Sequence, residues 1–287
     1  MNPGSEIARA ASSTAPQRIR IVLVGTQHPG NIGSAARAIK TMGLTRLVLV
    51  APQRFPHADA NAMAAGADDV LAAAAHFDTL ADAVADCRLV LGCTARRRRV
   101  ALDELSPRVA ARHMLDAAAS GAEVALVFGR ERTGLDNDEL QLCHAAVHIA
   151  ANPDYSSLNL AAAVQVLGYE LRMAYLAAQQ TPRDDAGEAA GDAAGGGRHA
   201  RHGGRGERAA SHAQLEGFFA QLADTLDAID FHKGRAPDSA MRKLRRLFLR
   251  SDLDERELRL LRGILADAQR MARLAGARAS PHSPLPR

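Results

Sequence analysis

The chain contains no tryptophan, and aromatic residues make up only 3% of its 287 residues. A surface built from stacked aromatic side chains, as many single-strand nucleic-acid binders use, is therefore not expected. There are three cysteines, Cys87, Cys93 and Cys143, and no two of them have Cys-x-x-Cys spacing. The odd number and the spacing argue against a disulfide framework and against a structural zinc site.

Long hydrophobic runs are also missing. The wholly aliphatic stretches, such as residues 47–51, are far too short to cross a bilayer. The first seventeen residues hold no apolar segment of the kind that secretory signals contain. We therefore expect a soluble, cytoplasmic protein with no membrane partner. Its formal charge of +4 is only mildly basic.

The hydrophobic residues that are present, 47% of the chain, are enough for a sizeable core. Short aliphatic runs alternate with alanine-rich segments of helical spacing, including helices expected from Asn31 to Met42 and from Leu158 to Gln180. Near-continuous aliphatic strands alternating with helices predict an α/β fold, a mostly parallel sheet with helices on both faces. The expected strands are residues 19–24, 46–50, 88–92, 123–128 and 146–150.

Composition predicts the domain boundaries. Residues 1–17 are small and polar and are expected to be a disordered leader, followed by the α/β domain over 18–180. Residues 181–210 contain no Val, Ile, Leu, Met or Phe, so this segment cannot bury a core and is expected to be a disordered linker. Helical periodicity over residues 211–275 predicts a small all-α module. Residues 276–287 are expected to be a disordered tail. Residues 233–250 carry seven Lys or Arg against one Asp, which makes the module basic.

Three loops follow predicted strands at the carboxyl ends, where open parallel sheets bind ligands. They span residues 25–37, 129–134 and 152–159. The first loop joins a strand to a helix and can hold an anion, but it has neither the Lys-Ser/Thr of a P-loop nor a GxGxxG pattern. Each loop also has a purely structural interpretation: a capped helix with a solvated Arg37, a charged turn, or serines that cap a helix.

Other candidates are weaker. Cys143, His144 and His148 do not form a convincing metal-ligand pattern, so no metal site is expected. Cys93 follows a strand, yet no residue that would activate it as a nucleophile is identifiable from the sequence. The four arginines at residues 96–99 are either a solvated patch or a set of phosphate contacts.

Taken in order, three segments resemble motifs one, two and three of the SPOUT RNA 2′-O-ribose methyltransferases, and most closely the bacterial members that act on tRNA. They are IVLVGTQHPGNIGSAARAIKTMGL (21–44), LVFGRERTGLDNDEL (126–140) and IAANPDYSSLNLAAAVQVLGYELR (149–172). The resemblance covers residues 19–178 and also the MRKLRRLF segment of the helical module.

The resemblance implies a C-terminal trefoil knot that binds S-adenosylmethionine, and a homodimer with the acceptor site at the subunit interface. The implied activity is 2′-O-methylation of a cytidine or uridine ribose at position 32 of the tRNA anticodon loop. Two alternatives remain open: methylation of another RNA such as ribosomal RNA, and a non-catalytic RNA-binding relative.

Site residues follow from the matched positions. The resemblance assigns the methyl donor to Cys93, Thr94, Ala95, Gly129, Ile149, Ser156, Ser157 and Leu158. It assigns catalysis to Arg37, Asn31, Glu131, Ser157 and Asn159. RNA contacts are expected from Arg37, Arg96, Arg97, Arg242, Lys243, Arg245 and Arg246.

Overall fold

A computed structural model describes residues 14–95, 102–180, 209–234 and 236–279, with side chains as far as residue 275. The chain divides into two compact units. Residues 14–180 belong to the first and residues 209–279 to the second. Arg96 and Arg97 lie outside the described residues.

The first unit is built on a parallel sheet of seven strands in the order β3-β2-β1-β6-β4-β7-β5. Each of the five predicted strands is present, but the last one ends at Val147 rather than at residue 150, and two short strands, β3 and β5, are additional. Later strands insert between earlier ones, since β6 lies between β1 and β4, and β7 lies between β4 and β5. The strands are β1 Ile19–Val24, β2 Arg46–Val50, β3 Ala75–Phe77, β4 Cys87–Cys93, β5 Glu104–Leu105, β6 Glu123–Phe128 and β7 Ala145–Val147.

Helices cover both faces of this sheet, because alternate residues of the strands are buried on opposite sides. Ile21 and Leu23 of β1 pack in one core with α1, α5 and α7, whereas Val22 and Val24 pack in another with α4 and α6. The helices are α1 Pro29–Thr41, α2 Ala58–Ala64, α3 Asp68–Ala72, α4 Leu80–Ala83, α5 Pro107–Ala119, α6 Asn137–Gln141 and α7 Leu160–Gln180.

Two helix starts differ from the sequence prediction, and both differences concern the site. Helix α1 begins at Pro29 after His28, so Asn31 lies in its first turn and does not cap it. Helix α7 begins at Leu160, and the Asn159 side chain accepts a hydrogen bond from the Ala161 N–H at 2.9 Å. Asn159 therefore caps this helix, a role that the sequence had suggested for the serines before it.

An ion cluster closes the amino ends of the strands, opposite the predicted site. Arg20 of β1 is 5% exposed and donates two hydrogen bonds to Asp86, at 2.8 and 2.7 Å, and one to Glu123 at 2.9 Å. Glu123 also pairs with Arg18 and Arg46. The Ala83 carbonyl oxygen accepts a further hydrogen bond from the Arg20 Nη1, whereas the buried Nε has no hydrogen-bond partner within the described part of the chain. The two carboxylates offset most of the cost of burying this charge at the amino ends of the strands.

The second unit contains three helices, α8 His212–Ala228, α9 Pro237–Leu249 and α10 Glu255–Ala279. Ser211 and Gln214 form a capping box at the start of α8. The core of this unit contains Leu215, Phe218 and Leu258.

Three predicted domain boundaries are displaced by a few residues. Ala15–Arg18 forms a 3₁₀ turn with a buried Ala15, so order begins before the predicted leader ends. Ala209 forms a bridge with Asp254, and α10 continues to Ala279, past the predicted start of the tail. The remainder of the predicted leader, linker and tail lies outside the described residues. None of the described helices is both long and apolar enough to cross a membrane.

Candidate active site

A cavity of about 300 Å³ lies at the carboxyl ends of β4, β6 and β7. Its volume is at the lower end of the range for small-molecule sites. Its wall is apolar at Phe128, Leu160 and Ala163 and also contains the side chains of Arg130 and Glu131. All eight residues that the resemblance assigned to the methyl donor line it: Cys93, Thr94, Ala95, Gly129, Ile149, Ser156, Ser157 and Leu158.

Gly129 is the position where the cavity wall depends on a missing side chain. A Cβ there would lie 2.1 Å from the backbone carbon of Gly134 and from the Leu135 nitrogen. The loop of residues 129–134 therefore folds back against its own start, and the Arg130–Gly134 bridge closes it. This close approach explains the glycine at the start of the charged turn, and a φ of +67° explains Gly134 at its end.

A hydrogen-bonded chain of three side chains joins the three loops. The Glu131 carboxylate accepts from the Gln27 N–H at 3.0 Å, from the His28 N–H at 3.1 Å and from the Asn31 amide at 2.9 Å. The Asn31 carbonyl oxygen in turn accepts from the Asn159 amide at 3.1 Å. Segments more than a hundred residues apart in sequence thus meet beside the cavity. Glu131 and Ser157 also line it, and Asn31 and Asn159 are attached to it through Glu131.

The same hydrogen bonds set the charge state of Glu131. Burial alone would raise the pKa of this carboxyl group, but the donors from Asn31, Gln27 and His28 outweigh it and hold the pKa below the usual value. Glu131 is therefore ionised at neutral pH and acts as an acceptor.

Arg130 is a structural residue that the sequence did not single out. Its guanidinium pairs with Glu139 of α6 at 2.9 Å. Its side chain also lies against Gly25, where a Cβ would come within 2.8 Å of the Arg130 Nε, and where φ is +60°. Gly25 therefore permits both the left-handed turn and the close contact between the first two loops.

Arg37 stands apart from the cavity. It is exposed on α1, and its guanidinium has no hydrogen-bond partner among the described residues. Of the five predicted catalytic residues, the structure thus links Asn31, Glu131 and Asn159 directly and places Ser157 in the cavity wall. It does not bring Arg37 into that wall.

The weaker candidates have structural roles. Burial raises the pKa of the Cys93 thiol to about 12, so the thiol is protonated at neutral pH and a poor nucleophile. The His144 Nδ1 accepts from the Val90 N–H at 3.0 Å, and the His148 Nδ1 lies 3.2 Å from the Thr94 carbonyl oxygen. Within the described residues, no group of three or more His, Cys, Asp or Glu side chains is arranged to hold a metal.

In the second unit, the four predicted RNA contacts on α9 separate into two kinds. Arg242, Lys243 and Arg246 are exposed. Arg245 differs from these three, because its side chain is only 15% exposed and is held by Glu216, with a hydrogen bond of 2.9 Å from Nη1. Its guanidinium also lies 4.5 Å from the ring centroid of Phe219. Arg245 therefore joins α9 to α8, and only the other three face solvent.

Comparison with known proteins agrees with this division of the chain. The model of the SpoU rRNA methylase family matches residues 18–169, and that of the TrmJ C-terminal domain, a tRNA methyltransferase domain, matches residues 213–277. The chain is 48% identical over 257 residues to the tRNA (cytidine/uridine/adenosine-2′-O-)-methyltransferase TrmJ of Pseudomonas aeruginosa, covering 89% of this chain and 95% of the relative. It is 49% identical to the tRNA (cytidine/uridine-2′-O-)-methyltransferase TrmJ of Salmonella typhimurium, covering 88% and 97%.

Solved structures of methyltransferases are also similar to this chain. TrmJ from Zymomonas mobilis superposes with a TM-score of 0.69 at 33% identity and covers 86% of this chain and 97% of that one. A probable methylase family protein from Haemophilus influenzae has a TM-score of 0.56 at 39% identity, covering 91% and 99%. The fold with its inserted strands implies the trefoil knot that the resemblance predicted. On the sequence matches, the parallel sheet and the joined loops, the chain belongs to the SpoU methylase family and carries the C-terminal domain of its TrmJ members.

Proposed function

We propose that the protein transfers the methyl group of S-adenosylmethionine to a ribose 2′-hydroxyl of tRNA. The observation that carries the proposal is the chain of hydrogen bonds from Glu131 through Asn31 to Asn159 at the edge of a cavity. The TrmJ relatives, which align over nearly their whole length, support tRNA as the substrate.

The cavity residues fit the donor. Ile149 and Leu158 supply apolar walls, and Ser156 and Ser157 supply hydroxyl groups, as a ligand with an adenosine and an amino-acid part requires. When bound, S-adenosylmethionine supplies a methyl group already activated by its sulfonium, so the protein has mainly to position an oxygen nucleophile. The ionised Glu131 joins the second loop to the first and, through Asn31, fixes the position of Asn159.

Arg37 has a separate role in this proposal. A guanidinium hardly loses a proton in a protein, so Arg37 is not the base. It holds the phosphate next to the acceptor ribose and stabilises the charge that develops on the 2′-oxygen, while the proton leaves to phosphate or water. Its exposure on α1 fits an acceptor site completed by a second copy of the chain, in a homodimer.

The second unit supplies RNA affinity in the proposal. The exposed Arg242, Lys243 and Arg246 contact phosphates, which position the RNA but do not read its sequence. The match to the TrmJ C-terminal domain favours tRNA over ribosomal RNA. A non-catalytic relative would be expected to lose Arg37 or Asn159, and both are present. The proposed acceptor is a cytidine or uridine at position 32, and the proposed compartment is the cytoplasm.

The test is transfer of a tritiated methyl group from the donor to unmodified tRNA, followed by nuclease digestion and identification of the labelled nucleoside. The proposal predicts label in 2′-O-methylcytidine or 2′-O-methyluridine at position 32, and none in the same transcript carrying a 2′-deoxy nucleotide there. Label on a base, or in ribosomal RNA but not in tRNA, would contradict it.

A further inference from the structure

Tyr155 is an exposed aromatic side chain at the mouth of the cavity. It lines the cavity, yet it is 82% exposed, more than any other large hydrophobic residue that the structure describes. Phe128, the other aromatic residue of the wall, is only 2% exposed and belongs to the core. One ring thus closes the floor of the cavity while the other stands in solvent at its rim.

The loop presents this ring through a defined turn. The Tyr155 N–H donates to the Asn152 carbonyl oxygen at 3.0 Å, and the Asp154 N–H donates to the Asn152 side-chain oxygen at 3.1 Å. Such side-chain-to-backbone turns fix the direction of the residues that follow. The turn therefore fixes the backbone at Tyr155 beside the cavity, although the ring itself gains little burial there.

Composition makes the position distinctive. The chain has only three tyrosines, seven phenylalanines and no tryptophan, so an exposed ring beside the cavity is not part of a general aromatic surface. A cation accompanies it, since Arg132 lines the same cavity and is also exposed. An exposed ring and an exposed guanidinium on the wall of one cavity are the combination with which proteins bind a splayed nucleotide, the base on the ring and the phosphate on the cation.

We propose that Tyr155 stacks against the base of the acceptor nucleotide and thereby places its ribose over the cavity. The inference rests on the proposed function and adds the residue that binds the base. Bases of single-stranded loops can leave their stack and lie on an aromatic side chain. Because every base has a π face, this contact supplies affinity and position without distinguishing cytidine from uridine.

The first test compares Tyr155→Ala with Tyr155→Phe. Loss of one stacked base weakens RNA binding by about 5- to 150-fold, so kcat/KM for tRNA should fall within that range in Y155A. Y155F keeps the ring and should stay within about two-fold of the wild-type value. Calorimetry should give both variants the wild-type affinity for S-adenosylhomocysteine, a readout that separates lost stacking from a damaged donor cavity.

The second test uses the absence of tryptophan. Tyr155→Trp gives the chain a single indole whose fluorescence should be quenched when an anticodon stem-loop RNA is added to protein saturated with S-adenosylhomocysteine. Tyr169→Trp is the matched control, because Tyr169 is 50% exposed on α7 and is not among the residues lining the cavity. Its fluorescence should not respond to the RNA.

Three results would overturn the inference. If Y155A methylates tRNA with the wild-type kcat/KM, Tyr155 does not bind the base, and the proposed function is unaffected. If S-adenosylhomocysteine alone quenches the fluorescence of Y155W and RNA causes no further change, the side chain at this position contacts the methyl donor and not the RNA. A wild-type protein that does not methylate tRNA at all would overturn the inference and the proposed function together.

Discussion

At the scale of single residues, the site depends on one carboxylate with three donors. Glu131 receives hydrogen bonds from two backbone N–H groups of the first loop and from the Asn31 amide, and no neutral side chain of similar shape can accept all three. Arg37, in contrast, is exposed and separate from this cluster. We therefore assign different roles to the two residues: Glu131 holds the loops of the site together, and Arg37 contacts the acceptor nucleotide.

Arg37→Ala tests this separation. Because Arg37 is not in the cavity wall, calorimetry should show unchanged affinity for S-adenosylmethionine, whereas methyl transfer to tRNA should fall by about 10²-fold or more. Arg37→Lys keeps the charge but not the planar fork, and should recover only part of the rate. A variant that loses affinity for the donor would contradict this division of roles.

His212 predicts the pH dependence of stability. Burial, and secondarily the charge of Arg245, lowers its pKa to about 4, below the ordinary 6.5. The unfolded chain therefore binds a proton in this range that the folded chain excludes, so the free energy of unfolding should fall as pH falls from about 6.5 towards 4, by up to about 3 kcal/mol.

Urea denaturation between pH 8 and pH 4.5 measures this, with His212→Gln as the comparison, since Gln cannot titrate. Between pH 6.5 and 4.5, the free energy of unfolding should change more steeply with pH in the wild-type protein than in H212Q. Above pH 7 the two dependences on pH should agree. The carboxyl groups of Glu131 and Glu123 have pKa values held below the usual range, so their contribution is lost only at more acidic pH. Equal dependence on pH in the two proteins would contradict the prediction that burial keeps the His212 imidazole neutral in the folded protein.

Sequence analysis could assign residue types to the site but not their partners. Arg242, Lys243, Arg245 and Arg246 look alike as a basic run. Arg245 differs only because Glu216, 29 residues earlier in the chain, lies next to it in the folded unit. Arg130 was missed for the same reason, since the residue it touches, Gly25, is distant in sequence.

At the scale of elements, α9 is amphipathic. Leu244 and Phe248 pack in the core of the second unit, and Arg242 and Lys243 lie on its exposed side. Replacing both of these cations with Ala should weaken tRNA binding and reduce the slope of log K against log salt by about one to two. Lys40→Ala is a suitable control, because Lys40 is already bound to Asp69 at 2.7 Å. An unchanged salt slope in the double variant would show that this face does not contact phosphates.

The strand ends opposite the site give a prediction for stability. Arg20→Met removes the hydrogen bonds to Asp86 and Glu123, of which Glu123 keeps Arg18 and Arg46 as partners, and should lower the free energy of unfolding by about 1.5 to 3 kcal/mol. Asp86→Asn should lower the free energy of unfolding by less, because the Asp86 side chain is 60% exposed and water can take its place as an acceptor for Arg20. Guanidinium denaturation followed by circular dichroism would compare the two, and the opposite order would refute the proposed dependence on burial.

At the scale of the whole molecule, the sequence predicts the parallel class of the sheet, since five aliphatic runs lie between helical segments. It does not predict the strand order, because pairing between β6 and β1 or between β7 and β4 depends on contacts far apart in the chain. The two missed strands, β3 and β5, have three and two residues, too short for any period to show. The knot came from resemblance, because connections that thread a loop are nearly absent among folds.

The most direct test of the account is a crystal structure of the protein with S-adenosylhomocysteine bound. The ligand should lie in the cavity, with its adenosine and sulfur against Gly129, Ile149 and Leu158 and close to the Glu131–Asn31–Asn159 chain. A ligand bound outside this cavity, or one that separates the three loops, would contradict the claim that they form a single methyl-transfer site.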